Sequence, residues 1–307
     1  MAGDGCAGTF PTPTTPAVAA SADAVASHAA ARDLPSFFII GPPRTGTSWL
    51  QTVLNQCAWL SQPTKETRFF DTHFERGLEW YASHYNYKKV GGGRVTGEVA
   101  PTYFASNEAR ERIAQLIPHA KIVCAFRNPV DRILSLYRLK RAYGWIPWEF
   151  EEALEKDSEL LESSRYATHL TKWQETFGKG QVLATLYDDM RADAQAYLNS
   201  VVDFVGIQRF RLRRFQLRHV LTSEDMTQPR NYYLTRGALR LAEWSKARRL
   251  DKLVSTARRM GAFRLFVGGG EKFPELPAAH RGRLRAIFRP EVERLETMLN
   301  RDLSAWK

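Results

Sequence analysis

Short, uninterrupted apolar runs separated by helical patterns constrain the fold of this chain most. Phe37–Ile40 is a continuous bulky run that ends at Gly41, and a helix-compatible stretch begins at Thr47. Two similar runs, Lys121–Phe126 and Gln181–Leu186, are also followed by polar residues and then by a helical pattern. Apolar strands alternating with helices indicate a parallel sheet covered on both faces. We therefore predict an α/β fold, a P-loop-like central parallel β-sheet flanked by helices in a single domain.

The two ends of the chain differ from this central pattern. Residues 1–35 are rich in Ala, Thr and Pro, and we expect a disordered tail there, followed by one domain over residues 36–307. Beyond Ile207 the pattern becomes basic and helical, and a last helix is predicted from about Ala279 to Leu299. We expect a ligand at the carboxyl ends of the strands, where parallel sheets bind ligands.

The charge is unevenly distributed along the chain. Its 44 Lys and Arg residues outnumber the 33 Asp and Glu residues, which gives a formal net charge of +11 and indicates an anionic partner. Residues 1–207 hold 21 basic and 23 acidic groups, however, whereas residues 208–307 hold 23 and 10. The basicity is therefore C-terminal, and it fits either a solvated helical surface or a phosphate-rich ligand or polymer.

Composition also argues against several classes of protein. No apolar run approaches the roughly 20 residues of a membrane-spanning helix, so we expect no membrane span. The three cysteines, Cys6, Cys57 and Cys124, form neither a C-x-x-C pair nor a cluster with histidines, which argues against a disulfide scaffold or a structural zinc site. The N-terminal tail lacks the pattern of a secretion signal. A cytoplasmic location is expected.

The loop after the first predicted strand has the frame of a phosphate-binding loop. Gly41 and Gly46 give the G-x-x-x-x-G spacing between strand and helix. In the Walker form a Lys follows the second Gly, but Thr47 stands there in this chain. Backbone amides and the helix N-terminus still form an anion cradle, with Arg44 as its cation. Such a loop suits a compact 5′ anion better than a triphosphate with Mg²⁺, although a tight turn before a buried helix would share the frame.

The stretch FFIIGPPRTGTSWL, residues 37–50, resembles the 5′-phosphosulfate loop of sulfotransferases that use 3′-phosphoadenosine 5′-phosphosulfate (PAPS). The resemblance implies PAPS as the co-substrate, which leaves as 3′-phosphoadenosine 5′-phosphate (PAP) after the transfer. The reaction that it implies needs no metal. It places the 5′ end of the donor on Arg44, Thr45, Gly46, Thr47 and Ser48. Arg44 would also act in catalysis, by stabilising charge on the bridging oxygen as the S–O bond breaks. Trp49 would stack on the adenine, with core burial as the alternative.

A second loop supplies candidate ligands for the 3′-phosphate of the donor. Arg127 ends the second predicted strand, and Ser135 lies eight positions later in the following helix. Arg offers a fixed fork for phosphate oxygens. The stretch FRNPVDRILSLY, residues 126–137, resembles the 3′-phosphate motif of the same family, with Arg127 and Ser135 as the matching ligands. Family members add a C-terminal basic and glycine segment, for which Arg230 and the Gly268–Lys272 loop are the candidates.

The stretch KETRFFD, Lys65–Asp71, resembles the K-E-x-x-F-F-D segment of heparan-sulfate-type and related bacterial sulfotransferases, in which the Glu is the base. By this match Glu66 is the predicted base, and Lys65 is expected near the acceptor or the transferring group. Glu98 is a second candidate carboxylate, with a structural or substrate-orienting role favoured. His73 and His84 are rivals, since the cytosolic branch of the family uses His.

The resemblance covers residues 36–207 and again 288–306, whereas residues 208–280 match poorly and are expected to form a helical insert. It is closest to the heparan-sulfate and carbohydrate branch, of bacterial type. One departure concerns Val99, because glycan-modifying members often have Lys at this position. A contact to an acidic glycan is therefore expected to be missing.

The function implied is transfer of a sulfuryl group from PAPS to a hydroxyl of a glycan, lipid or secondary metabolite, by in-line attack with Glu66 as base. One alternative is a P-loop small-molecule kinase, against which the missing Walker Lys counts. The other is a nucleic-acid-binding module, suggested by the basic C-terminal third, although the chain shows no helix-turn-helix, finger or RNP signature. No nucleic-acid partner is expected, and the oligomeric state is left open.

Overall fold

A computed structural model describes residues 34–85, 95–213, 227–247 and 269–307. Its centre is a five-stranded sheet in the order β2-β3-β1-β4-β5, in which every neighbouring pair is parallel. The strands are β1 Phe37–Ile40, β2 Trp59–Leu60, β3 Thr96–Val99, β4 Lys121–Phe126 and β5 Val182–Leu186. The predicted parallel sheet is confirmed, and two of the three apolar runs, β1 and β4, have the predicted bounds.

Helices surround the sheet. They are α1 Thr47–Leu54, α2 Gly77–Ala82, α3 Asn107–Leu116, α4 Pro129–Ala142, α5 Phe150–Lys156, α6 Ser158–Glu162, α7 Tyr166–Phe177, α8 Tyr187–Ala192, α9 Ala194–Val205, α10 Tyr232–Ala247 and α11 Ala278–Leu299. Short 3₁₀ turns lie at Phe74–Arg76, Pro101–Ala105, Lys179–Gln181 and Ser304–Trp306. No helix within the described residues is long and apolar enough to cross a membrane.

The central strand β1 shows why a continuous apolar run was needed. Successive side chains of a strand point to opposite faces. Phe37 and Ile39 pack with Leu50 of α1 in the core on one face, while Phe38 and Ile40 pack with Ile133 of α4 in the core on the other. All four side chains of the strand are fully buried. Each such burial stabilises the fold by about 1.5–3 kcal/mol, so both helical layers hold on to this strand.

The connections from the two central strands diverge and open a crevice. The chain leaves β1 toward α1 on one face of the sheet, and it leaves the adjacent strand β4 toward α4 on the opposite face. Helix α4 begins directly after the loop because Pro129 occupies its first turn and the Asn128 side chain accepts from Val130 N at 3.0 Å. The crevice therefore lies at the carboxyl ends of β1 and β4, where parallel sheets bind their ligands.

Some local predictions need correction. The third apolar run forms β5, which begins at Val182, one residue later than predicted. The insert 208–280 is not wholly helical, because β6 Thr227–Pro229 pairs antiparallel with β7 Gly269–Lys272. Nearly all of the N-terminal tail, along with parts of the insert including Gly268, lies outside the described residues.

Candidate functional site

The loop between β1 and α1 is shaped by close backbone approach and by positive φ angles. At Gly41 a Cβ atom would lie 2.5 Å from the carbonyl oxygen of Ala125, so only glycine fits beside β4. Gly46 has φ +95°, and a Cβ there would lie 3.2 Å from the Tyr187 ring. Helix α1 begins at Thr47 with no side-chain cap on its N-terminus. The loop thus leaves room, and helical N–H groups, for an anion.

Arg44 adopts a backbone conformation that is rare for residues other than glycine. Its φ is 81°, which costs on the order of 1–3 kcal/mol in backbone strain. Its Nε donates a hydrogen bond of 2.7 Å to Ser135 Oγ on α4, 91 positions along the chain. The structure therefore joins a residue predicted for the 5′ end of the donor directly to one predicted for the 3′-phosphate.

Arg127 completes a pair of cations in the crevice. Its guanidinium carbon lies 4.9 Å from the centre of the Tyr187 ring, while its carbonyl oxygen accepts from the Tyr166 hydroxyl at 2.8 Å. Burial, together with the charge of Arg127, lowers the pKa of Arg44. Within the described ranges neither Arg44 nor Arg127 forms an ion pair with a carboxylate. Two mutually repelling guanidiniums without a counterion favour an anionic ligand.

Arg44 and Arg127 line a cleft of about 370 Å³, here called the donor cleft, whereas the predicted ligands Thr45 and Ser135 are fully buried and are not among its lining residues. Its lining consists of Pro43, Arg44, Gly46, Thr47, Ser48, Trp49, Thr52, Lys65, Glu66, Pro101, Arg127, Leu139, Tyr187 and Met190. Three of these residues are basic and one is acidic. Tyr187 was not predicted as a site residue, although it directly follows the third predicted strand, at the same edge of the sheet as the other two loops.

Lys65 and Glu66 reach the donor cleft from a segment that follows β2. The Lys65 ammonium donates to Ser48 Oγ at 3.0 Å and lies 3.3 Å from Glu66 Oε1. Both side chains are about a third exposed, at 35% and 29%. The structure thus brings the predicted base to residues 41–48, here called the cradle loop, with Lys65 between the two. A carboxylate here is open to an incoming acceptor.

A buried carboxylate fixes the segment that carries Glu66. Glu98 Oε1 accepts from the backbone N of Thr67 at 3.1 Å and from its hydroxyl at 2.5 Å, and Glu98 Oε2 accepts from Tyr81 at 2.7 Å. A further bond of 3.2 Å comes from the Tyr103 hydroxyl. Burial raises the pKa of Glu98, and these bonds oppose the rise. With its side chain enclosed, Glu98 holds the residue next to Glu66 in place.

Other candidates from the sequence lie away from the donor cleft. His73 and His84 are not among the residues that line it, and His84 Nδ1 instead lies 2.9 Å from the Trp80 carbonyl oxygen. Arg230 Nε donates to the Gly269 carbonyl oxygen at 2.8 Å, so the two C-terminal candidates form one unit through β6 and β7. Neither lines the cleft. Trp49 borders the cleft but is 4% exposed and packs against Tyr197.

Comparison with known proteins agrees with this geometry. The sulfotransferase domain model matches residues 34–237, which include the cradle loop, the segment Lys65–Asp71 and the loop that joins β4 to α4. The chain belongs to the sulfotransferase family. A solved sulfotransferase from Alicyclobacillus acidocaldarius shares the fold, with a TM-score of 0.62 and 23% identity over 89% of this chain and 98% of that one.

Curated relatives of this sulfotransferase include two bifunctional heparan sulfate N-deacetylase/N-sulfotransferases. The human type 2 protein is 29% identical over 198 residues, and a Caenorhabditis elegans type 1 protein is 30% identical over 198 residues. Each alignment covers 58% of this chain but only 22% and 23% of the respective relative. The chain therefore corresponds to about a fifth of the length of these proteins.

The metal content of this sulfotransferase site stays a prediction. Over the part of the chain that the structure describes, no group of three or more His, Cys, Asp or Glu side chains could hold a metal ion. Cys57 and Cys124 are not joined to each other in a disulfide bond. Burial raises the pKa of the Cys124 thiol, which suits a packing role in β4.

Proposed function

We propose that this enzyme transfers a sulfuryl group from PAPS to an acceptor hydroxyl, with Glu66 as the general base. The observation that carries the proposal is a pair of guanidiniums, Arg44 and Arg127, which lie beside an uncapped helix N-terminus and pair with no carboxylate of the described residues. The pair lines the same cleft as Glu66. Anion binding and proton removal are thereby combined in one cleft, as sulfuryl transfer to an alcohol requires.

The residues present fit a donor with two separated anionic groups. The cradle of Gly46 to Ser48, together with Arg44, would hold the 5′ end, while Arg127 and Ser135 would hold the 3′-phosphate. When bound, PAPS supplies the sulfuryl group and PAP is the product that leaves. Arg44 stands between the two loops and is placed to offset charge that appears as the S–O bond breaks.

Glu66 would take the proton of the acceptor. Its carboxylate lies beside the cradle loop and borders a second, larger cavity, so that an acceptor in that cavity can present its hydroxyl to the cleft. The Lys65 ammonium donates a hydrogen bond to Ser48 and forms an ion pair with Glu66. This arrangement orients the base without removing it from solvent.

Ligand-dependent melting separates this proposal from a kinase. A ligand at a hundred times its dissociation constant stabilises the folded protein by about 2.7 kcal/mol. PAP is expected to raise the melting temperature, whereas ATP with Mg²⁺ is not. The reverse result would favour a P-loop kinase. Incubation with radiolabelled PAPS and a panel of hydroxyl compounds then tests transfer itself, and tight salt-sensitive DNA or RNA binding without PAP binding would favour the nucleic-acid module.

An amine acceptor is the second candidate, favoured by the N-sulfotransferase names of the curated relatives. The same carboxylate could take a proton from an amine during attack. Two compounds of similar size, 4-ethylphenol and 2-phenylethylamine, distinguish the candidates, because the first offers only a hydroxyl and the second only an amine. Labelled product from the phenol alone supports the first proposal, and product from the amine alone supports the second.

A further inference from the structure

A second cavity of about 1030 Å³, here called the acceptor cavity, adjoins the donor cleft. The two share Pro43, Glu66, Pro101 and Leu139 as lining residues. The Glu66 carboxylate therefore faces both spaces. Since the proposed base has to touch the attacking group, the acceptor cavity is the place from which the acceptor reaches it. The inference below rests on the proposed function.

The walls of the acceptor cavity combine apolar surface with an excess of carboxylates. Its acidic lining residues are Glu66, Asp71, Glu108, Asp157, Glu159 and Glu162, and its basic ones are Arg68, Lys140 and Lys156. Its apolar lining residues are Pro43, Pro101, Ala105, Leu136, Leu139, Trp145, Ile146 and Trp148. An excess of carboxylates repels anions and attracts cations.

The basic residues of the lining are already engaged. Lys140 lies 2.6 Å from both Asp157 Oδ2 and Glu159 Oε2, so one ammonium serves two carboxylates. Lys156 pairs with Glu152 at 2.7 Å and lies 5.5 Å from the centre of the Trp148 ring. These cations are therefore poorly available to an anionic acceptor, while the face of Trp148 already accommodates an ammonium.

Asp71 lines this cavity, and only one of its two carboxylate oxygens is paired among the described residues. Its side chain is 10% exposed, and Oδ2 lies 3.5 Å from Arg68 Nη2. Oδ1 is buried and has no hydrogen-bond partner among the described residues. A buried carboxylate oxygen left unpaired is costly, so a donor from a ligand would stabilise it. Thr102, also a lining residue, has a buried Oγ1 that finds no hydrogen-bond partner within the described part of the chain.

We infer that the acceptor is an apolar or aromatic hydroxyl compound that carries a protonated amine, and that a polyanionic glycan is excluded. The apolar walls and the two tryptophans, Trp145 and Trp148, take the body of such a compound. Its ammonium lies against carboxylates, with Asp71 Oδ1 as the acceptor that most needs a donor. Its hydroxyl then points to Glu66. The volume is at the upper end of small-molecule sites.

Three phenols that differ only in the charge of the para substituent test this inference. Tyramine carries an ammonium, 4-ethylphenol is neutral, and 3-(4-hydroxyphenyl)propionate carries a carboxylate at a similar distance from the ring. With PAPS, kcat/KM is expected to fall in that order, by about tenfold at each step, which corresponds to roughly 1.4 kcal/mol. Loss of the phenolate absorbance at high pH shows that the phenol oxygen received the sulfuryl group. Binding is scored in parallel as the melting-temperature rise with PAP present.

Asp71→Asn is expected to lower the ratio of kcat/KM for tyramine to that for 4-ethylphenol by about tenfold. The matched control is Asp203→Asn, which also removes a carboxylate paired with an arginine, on α9 and away from both cavities. Its ratio should equal that of the unchanged enzyme. Should Asp71→Asn fail to fold, Glu108→Gln at the exposed rim of the cavity is expected to lower the same ratio less strongly.

The outcomes separate this inference from the proposed function. Equal rates for the three phenols, a preference for the propionate, or no binding of any phenol by a protein that binds PAP would each overturn the acceptor class and leave the donor site standing. Failure to bind PAP would instead overturn the proposed function. A tyramine preference that Asp71→Asn diminishes and Asp203→Asn retains supports the inference.

Discussion

The donor cleft and the acceptor cavity share a wall but differ in charge. Three basic residues and one acidic residue line the donor cleft, whereas three basic and six acidic residues line the acceptor cavity. Glu66 belongs to both. The formal net charge of +11 describes neither space. The difference shows that the electrostatic potential at a binding site depends mainly on the few charged side chains that line the site. Interactions with more distant charges are weaker and are screened by salt.

The two spaces also come from different parts of the chain. The cations of the donor cleft lie in the segments after β1, β2 and β4, within the part of the chain that is slightly acidic overall. The acceptor cavity takes much of its wall from residues 145–163, which contain seven acidic residues and one basic residue. That local acidic excess was visible in the sequence, but nothing in the sequence placed it opposite Glu66.

The largest effect on kcat is expected from a substitution of Glu66, which lines both the donor cleft and the acceptor cavity. Glu66→Gln keeps the size of the side chain but removes the base, and kcat should fall at least 100-fold, within the range of about 10²–10⁴ for general-base catalysis. The rise in melting temperature with PAP should persist, since the donor site keeps its cations. Glu175→Gln, an exposed residue of α7 outside both cavities, is the control. Near-normal kcat in Glu66→Gln would contradict the assignment of Glu66 as the base.

Arg44→Ala tests whether the donor cleft acts in catalysis as well as in binding. Loss of a group that offsets developing charge typically lowers kcat by about 10²–10³, and we expect about 100-fold here. Rates at saturating PAPS separate this effect from weaker donor binding. A variant whose loss disappears at saturating PAPS would show that Arg44 only binds. Arg209→Ala, on the surface beside α9, should behave like the unchanged enzyme.

Arg127→Ala should weaken the binding of PAP in the donor cleft and leave the binding of the acceptor in the acceptor cavity unchanged. A charge-assisted hydrogen bond contributes about 1.5–3 kcal/mol, so PAP affinity should fall by roughly tenfold to 150-fold. Isothermal titration with PAP measures this, and the KM of the acceptor should change little. Comparable losses for donor and acceptor would contradict the assignment of Arg127 to the donor and the separation of the two spaces.

Glu98→Gln is expected to have the smallest effect, acting through the position of Glu66. The amide cannot accept all the bonds that reach the two oxygens of Glu98, so the segment from Lys65 to Phe70 should loosen. We expect kcat to fall about tenfold, within the range caused by small misplacement of a catalytic group. The KM of the acceptor and the affinity for PAP should stay unchanged, and a change confined to the melting temperature would reduce Glu98 to a purely structural role.

Much of the fold followed from the sequence because local pattern and tertiary role agreed there. The run Phe37–Ile40 was predicted as a strand buried on both faces, and it is the central strand. The segment 208–280 was harder, since its basic, weakly patterned residues carry little information about pairing. The paired residues of β6 and β7 lie more than 39 positions apart in the chain. Local sequence carries no signal that would identify so distant a partner.

The sequence by itself determined the cradle loop, the strands around it and the residue types that bind anions, because these depend on local spacing and on side-chain chemistry. Only the tertiary structure decided that Arg44 meets Ser135, that Glu98 holds the segment beside Glu66, and that carboxylates from several helices enclose one cavity. Contacts of this kind join residues up to 91 positions apart. They arise when the sheet places the carboxyl ends of its strands side by side, and that arrangement is a property of the whole fold.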